Sequence, residues 1–151
     1  MTKFVARYDA PFWRPEGLAG AAISHVGPLR EIHDMSGPDG TPAALFGFAP
    51  TPGAHLRERA LEQLARLFGP RASEPLEVHV QDWSTEPHTC PPEQQPNGDY
   101  RLFGHTSYQH PALAGRLHWA ATETSTTSPG HVEGALQAAA RATETVLDAI
   151  R

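Results

Sequence analysis

The spacing of apolar residues changes near residue 55, and this change limits the folds open to the chain. Before it, apolar and polar residues alternate, as in Thr2–Asp9, where Phe4, Ala6 and Tyr8 share one side. Alternation with a period of two is typical of a strand with one buried face. Similar stretches, separated by Gly-Pro and Pro-Asp-Gly turns, begin at Ala21, Arg30 and Ala43. The first fifty residues therefore predict an antiparallel meander.

A helical period replaces this alternation from His55 to Phe68. Its apolar residues form one stripe: Leu56, Ala60, Leu61, Leu64, Leu67 and Phe68. Gly69 and Pro70 then provide a stop signal for the helix. A further strand is expected over residues 76–83, with Leu76, Val78 and Val80 on one side. The prediction for this part is one helix packed across an antiparallel sheet.

The second half begins with a long polar stretch. Residues Ser84 to His110 are rich in proline, and a loop of that length in a compact domain is usually functional or disordered. A last strand is expected over Arg116–Ala121, and a turn of Thr, Ser and Gly residues leads from it into a helix. The apolar stripe of that helix comprises Val132, Ala135, Leu136, Ala139, Thr143, Val146, Leu147 and Ile150. The whole pattern predicts an α+β fold.

Composition excludes several classes of protein. There are 17 acidic residues against 12 basic ones and no long basic run, which argues against a nucleic-acid partner. A single cysteine, Cys90, excludes an internal disulfide and suits a reducing compartment. No stretch reaches the roughly 20 apolar residues that span a bilayer. The sequence thus predicts a soluble cytoplasmic protein without a membrane partner.

The spacing of the residues gives little support to a metal site or to catalysis by histidine. The four potential ligands His88, Cys90, His105 and His110 fit no closed structural zinc site, so no metal is predicted. The nine histidines show no spacing typical of a catalytic triad. The three tryptophans are interpreted as core or hinge anchors: Trp13, Trp83 and Trp119.

The turn before the last helix can hold an anionic group. A helix N-terminus offers unpaired N–H groups and a partial positive charge. Gly130 and Gly134 leave room for a flat ligand, and Glu123 can accept hydrogen bonds from hydroxyl groups. The alternative is an ordinary strand-to-helix turn capped by Ser128, with Pro129 at the first helical position.

Longer motifs favour the first interpretation. The stretch RLHWAATETSTTSPGHVEGALQAAARATETVL resembles the C-terminal signature of the flavin-containing amine oxidases, the family of monoamine oxidase and putrescine oxidase. Upstream, KFVARYDAPFWR, AALFGF, LARLFG and EPLEVHVQDW follow in the family's order. The resemblance implies that residues 1–83 are a substrate-domain portion. It also implies that residues 84–151 are a loop and a strand–helix from an incomplete FAD-binding domain.

The resemblance also implies roles for individual residues. Lys3 falls on the family's catalytic lysine, which holds a water beside flavin N5. Cys90 lies near a cysteine that some members bond to the flavin. Thr122 and Glu123 fall where the family contacts the ribityl chain and the diphosphate. The helix start lies at the pyrimidine edge of the ring, which adds His131, Val132 and Gly134 to the expected cofactor contacts.

The sequence departs from the family pattern in three places. Pro91 and His131, the expected substrate-binding positions, stand where the family has the two tyrosines of an aromatic cage. Ala121 replaces a glycine. No Gly-x-Gly-x-x-Gly fingerprint, which in the family holds the ADP half of FAD, occurs among the 151 residues.

Two functions remain open. The first is the C-terminal part of an FAD-dependent amine oxidase that converts a small amine to an imine and then an aldehyde with O2. This part, a separately encoded subunit or a truncated gene product, would be inactive without an N-terminal FAD-binding half. Its expected partner is a chain that carries that half, or a second copy in a homodimer. The second function is a non-catalytic binding or scaffold module derived from that family. Burial or exposure of the apolar stripe on the last helix discriminates between an independent module and one that needs a partner.

Overall fold

The computed structural model describes residues 1–50, 53–88 and 100–151. The chain divides into two compact units, Met1–Pro96 and Asn97–Arg151. Together they contain an antiparallel sheet and two α-helices, so the expected α+β class is confirmed. No helix in the described ranges has both the length and the apolar character to cross a membrane.

The first unit is built on a five-stranded antiparallel sheet. Its strands are β1 (Thr2–Tyr8), β2 (Ala22–Ile23), β3 (Glu31–Asp34), β4 (Ala43–Ala49) and β5 (Glu77–Asp82), in the spatial order β2-β3-β4-β1-β5. Strands β2 to β4 form the expected meander. Strand β1 pairs with β4 instead of β2, and β5 adds to the other side of β1. The first strand therefore lies between two strands that follow it in the chain.

Helix α1 (Leu56–Phe68) packs on one face of this sheet. Its residues Ala60 and Leu64 are fully buried in one cluster with Phe4, Ile32 and Leu45. The alternation expected in β1 is confirmed, because every second residue from Thr2 to Tyr8 is buried. The expectation for β5 is only partly met, since Val78 packs against the core whereas Leu76 and Val80 are exposed. β5 is an edge strand, so its side chains are covered less than those of a central strand.

An aromatic corner closes one end of the core. Tyr8, Phe12 and Trp13 meet edge to face, with ring centroids 5.0–5.8 Å apart, and Trp13 is completely buried. The indole Nε1 of Trp13 donates a hydrogen bond of 2.9 Å to Asp34 Oδ2. The Arg14 Nε group donates to the same oxygen at 2.8 Å. The corner thus joins the residues after β1 to the end of β3.

Ionisation of the Asp34 carboxyl makes the stability of this corner depend on pH. Burial raises its pKa, but the hydrogen bonds from Arg14, Ser36 and Trp13 outweigh that effect and hold the pKa well below its usual range. A carboxylate with a depressed pKa stabilises the folded state above its unfolded pKa of about 3.9. That contribution is lost as the pH falls below about 4 towards the folded pKa.

Replacing Asp34 tests this coupling. We expect D34N to unfold more easily at pH 7 by about 1–3 kcal/mol, because the Arg14 guanidinium loses its charged acceptor. The difference from the wild type should shrink as the pH falls from 5 to 2. Urea denaturation followed by circular dichroism measures both quantities. D39N, at an exposed aspartate nearby, is the control. A D34N difference that stays constant over this pH range would contradict the account.

The second unit consists mainly of short turns and one long helix. Three short 3-10 turns, Tyr100–Leu102, Thr106–Tyr108 and Thr122–Thr124, precede α2 (Val132–Ala149). Half-buried Arg141 on α2 joins several of the segments that precede it, because its guanidinium donates to the carbonyls of Trp119 at 3.0 Å and Tyr108 at 3.4 Å. It also donates to Thr124 Oγ1 at 3.0 Å. The buried residues described in this unit are Thr124, Ser125, Gly134 and Ala138, so its interior is partly polar.

The prediction of a strand over Arg116–Ala121 is wrong. Of these residues only Leu117 forms a bridge, to Ala112, and Thr122 already begins a 3-10 turn. A strand needs a neighbour to accept and donate its backbone hydrogen bonds. The described residues of the second unit provide such a neighbour at Leu117 alone, whose N–H and C=O both pair with Ala112. The alternation of apolar residues alone could not reveal this.

Helix α2 forms where it was expected but leaves its apolar stripe exposed. The face buried in the chain contains Gly134 and Ala138. Large side chains of the stripe remain accessible, with Val132 79%, Leu136 62% and Ile150 75% exposed. Exposed apolar patches of this kind commonly mark a surface that another protein surface covers.

Candidate functional site

The first part of the candidate site is the face of the sheet opposite α1. Lys3, Val5 and Arg7 project from β1 on this face, since the residues between them are buried in the core. In the strand register Lys3 lies between Phe48 of β4 and Gln81 of β5. Lys3 is the only lysine among the 151 residues, and the other eleven basic residues are arginines. An ammonium group, unlike a guanidinium, is a compact charge with three N–H donors on a flexible side chain.

An apolar groove runs beside Lys3. Its volume is about 380 Å³, and its lining residues are Lys3, Val5, Met35, Phe46, His79, Gln81 and Trp83. Phe46 packs edge to face on Phe48 at 4.6 Å between ring centroids and lies against the His33 ring at 6.3 Å. Lys3 Nζ lies 5.6 Å from the centroid of the Trp83 ring, within range of a cation–π contact. One cation thus faces a largely apolar wall.

Trp83 is held at the groove by the residues around it. It begins a 3-10 turn directly after β5, and the Asp82 carboxylate stabilises this turn by accepting from Ser84 N at 3.0 Å and Ser84 Oγ at 2.6 Å. The same Ser84 hydrogen bonds hold the pKa of Asp82 below its usual value. The Trp83 amide donates to the Met1 carbonyl at 3.1 Å. Trp83 is 39% exposed, so it is a groove residue, whereas the core interpretation is confirmed for Trp13.

The second part of the candidate site is the turn that leads into α2. The Thr122 hydroxyl donates to the His131 carbonyl at 2.7 Å and so links the two ends of the turn. Ser128 and Gly130 both have positive φ, at 54° and 80°. The helix begins at Val132 with His131 as its N-cap, and no side chain caps it. The alternative of a Ser128 cap with Pro129 as first helical residue is therefore wrong.

Gly134 is required by the packing of this turn. A Cβ atom there would lie 2.9 Å from Thr122 Oγ1 and would collide with the Ser128 carbonyl oxygen. The glycine is thus explained by contacts within the chain. Glu123 and Val132 are exposed beside it, and the Glu123 carbonyl accepts from Gly104 N at 2.8 Å.

The expected site residues therefore fall into separate groups. Lys3 belongs to the first unit. The turn of the second unit brings together Thr122, Glu123, His131, Val132 and Gly134. Cys90 and Pro91 lie outside the described residues. Sequence reasoning missed the groove itself, although Val5 on the outer side of β1 and the apolar outer side of β4, with Phe46, were a signal for it.

Comparisons with known proteins relate this arrangement to a family. A sequence model described as flavin containing amine oxidoreductase matches residues 1–147, nearly the whole chain. The chain belongs to this family. It is 33% identical over 150 residues to the putative flavin-containing monoamine oxidase AofH of Mycobacterium tuberculosis. That match covers 94% of this chain and 32% of the relative. The chain is 34% identical over 163 residues to the probable flavin-containing monoamine oxidase A of Dictyostelium discoideum, covering 97% and 34%.

The fold agrees with that of a solved relative. Cyclohexylamine oxidase from Brevibacterium oxydans IH-35A superposes with a TM-score of 0.78 at 30% identity, covering 99% of this chain and 35% of that one. The chain therefore spans about a third of the length of the proteins that it resembles.

Proposed function

We propose that this chain is part of an FAD-dependent amine oxidase. It contributes a lysine beside the reacting atoms, one wall of the substrate cavity and a helix that faces the cofactor. The observation that carries the proposal is the position of Lys3. The only lysine of the chain projects into an apolar groove on the sheet face that α1 leaves free. Family membership supports the same assignment.

In the proposed reaction an amine loses two electrons and two protons to become an imine. Molecular oxygen takes up the two electrons and two protons and becomes hydrogen peroxide. Water then converts the imine to an aldehyde and ammonia. FAD supplies the two-electron acceptor between amine and oxygen. Lys3 contributes a fixed positive charge and an N–H donor at the reacting end of the groove. The apolar residues Val5, Phe46 and Trp83 exclude water from the body of the amine.

Residues of the second unit fit a flavin in part. The first turn of α2 presents N–H groups that no side chain caps, which suits the electron-rich edge of a flavin ring. Glu123 is exposed and can accept from hydroxyl groups of a ribityl chain. The Thr122 hydroxyl, in contrast, already donates to the His131 carbonyl. We therefore assign His131, Val132 and Glu123 to cofactor contacts and Thr122 and Gly134 to the shape of the turn.

In this proposal the FAD-binding domain is completed by residues outside these 151. We assign residues 1–83 to a substrate domain and residues 84–151 to part of an FAD-binding domain. A dinucleotide-binding segment would come from elsewhere, because the sequence contains no Gly-x-Gly-x-x-Gly. The exposed stripe of α2, which includes Val132, Leu136 and Ile150, is the surface that we expect that segment to cover.

A chimera tests this function. The matching third of cyclohexylamine oxidase is replaced by residues 1–151, and the purified chimera is compared with the 151-residue chain alone. We expect the chimera to be yellow and to carry about one flavin per chain, whereas the chain alone binds no flavin. A folded chimera that stays colourless when flavin is added would refute the proposal.

A second candidate function is a non-catalytic module of the same family. It is favoured by Pro91 and His131, which occupy the positions of two cage tyrosines in the family. The His131 ring is turned towards the chain itself, with Nδ1 3.0 Å from the Pro129 carbonyl oxygen. A chimera that binds flavin but whose flavin is never reduced by an amine would support this alternative.

A further inference from the structure

A second cavity lies in the first unit, between the β2–β3 connection and the start of α1. It has a volume of about 240 Å³, and Arg30 and Arg59 both contribute to its lining, together with Gly27 and Leu56. It shares no lining residue with the groove beside Lys3. The proposed oxidase function gives this cavity no role.

The two arginines are carried by elements that are firmly joined. Gln63 of α1 is 1% exposed, and its side chain makes two hydrogen bonds to the backbone of Leu29. Its Oε1 accepts from Leu29 N at 2.9 Å and its Nε2 donates to Leu29 O at 2.8 Å. Gly27 has a φ of 102°, and a Cβ at that position would collide with the Gln63 side chain. The connection that carries Arg30 is therefore fixed against the helix that carries Arg59.

The charge of these arginines is not balanced by a carboxylate in the part of the chain that the structure describes. Arg7, Arg14 and Arg71 each form an ion pair in the described part of the chain. For Arg30 and Arg59 no such pair occurs among the described residues. Arg30 Nη1 donates to the His25 carbonyl at 2.9 Å. Two guanidinium groups that line one small cavity bring together positive charge that a bound anion would neutralise.

We propose that this cavity binds a phosphate group. A phosphate monoester carries a charge of about −1.5 to −2 at neutral pH, which matches two guanidinium groups. Its oxygens also suit the planar fork of an arginine. The start of α1 adds to the attraction, because the N-cap residue His55 makes no side-chain hydrogen bond to the free N–H groups. The ligand class is therefore a small phosphorylated molecule or inorganic phosphate.

An NMR titration of the full chain tests this proposal. Inorganic phosphate and phenyl phosphate are added separately at constant ionic strength, with sodium chloride as the reference salt. We expect saturable shifts of the Arg30 and Arg59 Nε–H signals with either phosphate and none with chloride. Tighter binding of phenyl phosphate would identify a monoester site, and equal binding would identify a site for the phosphate group alone.

Variants make the test specific. R30Q and R59Q should each weaken phosphate binding at least about tenfold, since each removes one of two charged donors. R57Q is the matched control, because Arg57 is an exposed residue of the same helix that does not line the cavity. Shifts that grow linearly with concentration, or equal weakening in R57Q and R59Q, would overturn the proposal. This titration needs no flavin, so its outcome is independent of the proposed oxidase function.

Discussion

Substitution of Lys3 by methionine should reduce amine oxidation by the chimera about 100-fold or more while flavin binding is retained. A positioned donor or charge at the reacting centre typically contributes a factor of about 10²–10⁴ to the rate. Methionine keeps most of the length of the side chain but removes the charge and the N–H donors. The measurement is the steady-state production of hydrogen peroxide, with the flavin absorbance of each variant recorded alongside.

Arg7→Met is the matched control for this prediction. Arg7 projects from the same strand on the same face, but it pairs with Glu77 at 3.2 Å and does not line the groove. R7M should therefore keep the rate within about threefold of the wild type, as is common for surface changes away from a site. Equal losses in K3M and R7M would show that Lys3 acts only through the general charge of the sheet face.

The largest effect on stability is expected for Trp13→Ala. The Trp13 side chain is completely buried and contacts the rings of both Tyr8 and Phe12. Removal of a buried aromatic side chain costs about 3–5 kcal/mol, since it leaves a cavity that the surroundings fill only in part. The Asp34 carboxylate loses a donor as well. Urea denaturation of the full chain, followed by circular dichroism, measures the change in the free energy of unfolding.

W83A is the control, because Trp83 is 39% exposed at the groove. We expect it to cost about 1 kcal/mol or less, in the range of partly exposed substitutions. If W13A and W83A destabilised the chain equally, burial of Trp13 in the aromatic corner would contribute no more to stability than the partly exposed Trp83.

Local patterns in the sequence were enough to predict most of the first unit. The alternation from Thr2 to Tyr8 reappears as the burial pattern of β1, and the stripe from Leu56 to Phe68 becomes the buried side of α1. Such patterns succeed because burial of apolar residues on one face largely determines which element forms. The position of β1 between β4 and β5 was not accessible in this way, because strand order depends on long-range pairing.

The second unit shows where such reasoning fails. Leu117 and Trp119 alternate with polar residues as a strand would, yet among the described residues only Leu117 pairs, through a single bridge to Ala112. The unit is organised instead by Arg141, whose guanidinium joins Tyr108, Trp119 and Thr124. Nothing in the local sequence identifies one arginine of a helix as the centre of such a network.

The groove could be anticipated only in part. The family resemblance singled out Lys3, but the groove residues Met35, Phe46 and Trp83 come from separate strands and turns. They meet because the strand register brings them to one face. Each of them, taken alone in the sequence, is as typical of a core residue as of a binding surface.

The most direct test of the central claim is anaerobic addition of an amine to the flavin-loaded chimera, with the visible absorbance of the flavin recorded. If Lys3 and its groove present an amine for oxidation, cyclohexylamine or a related amine should bleach the flavin. Admission of air should then restore the colour with release of peroxide. A chimera that holds flavin but keeps its full absorbance with every amine tested would contradict the account.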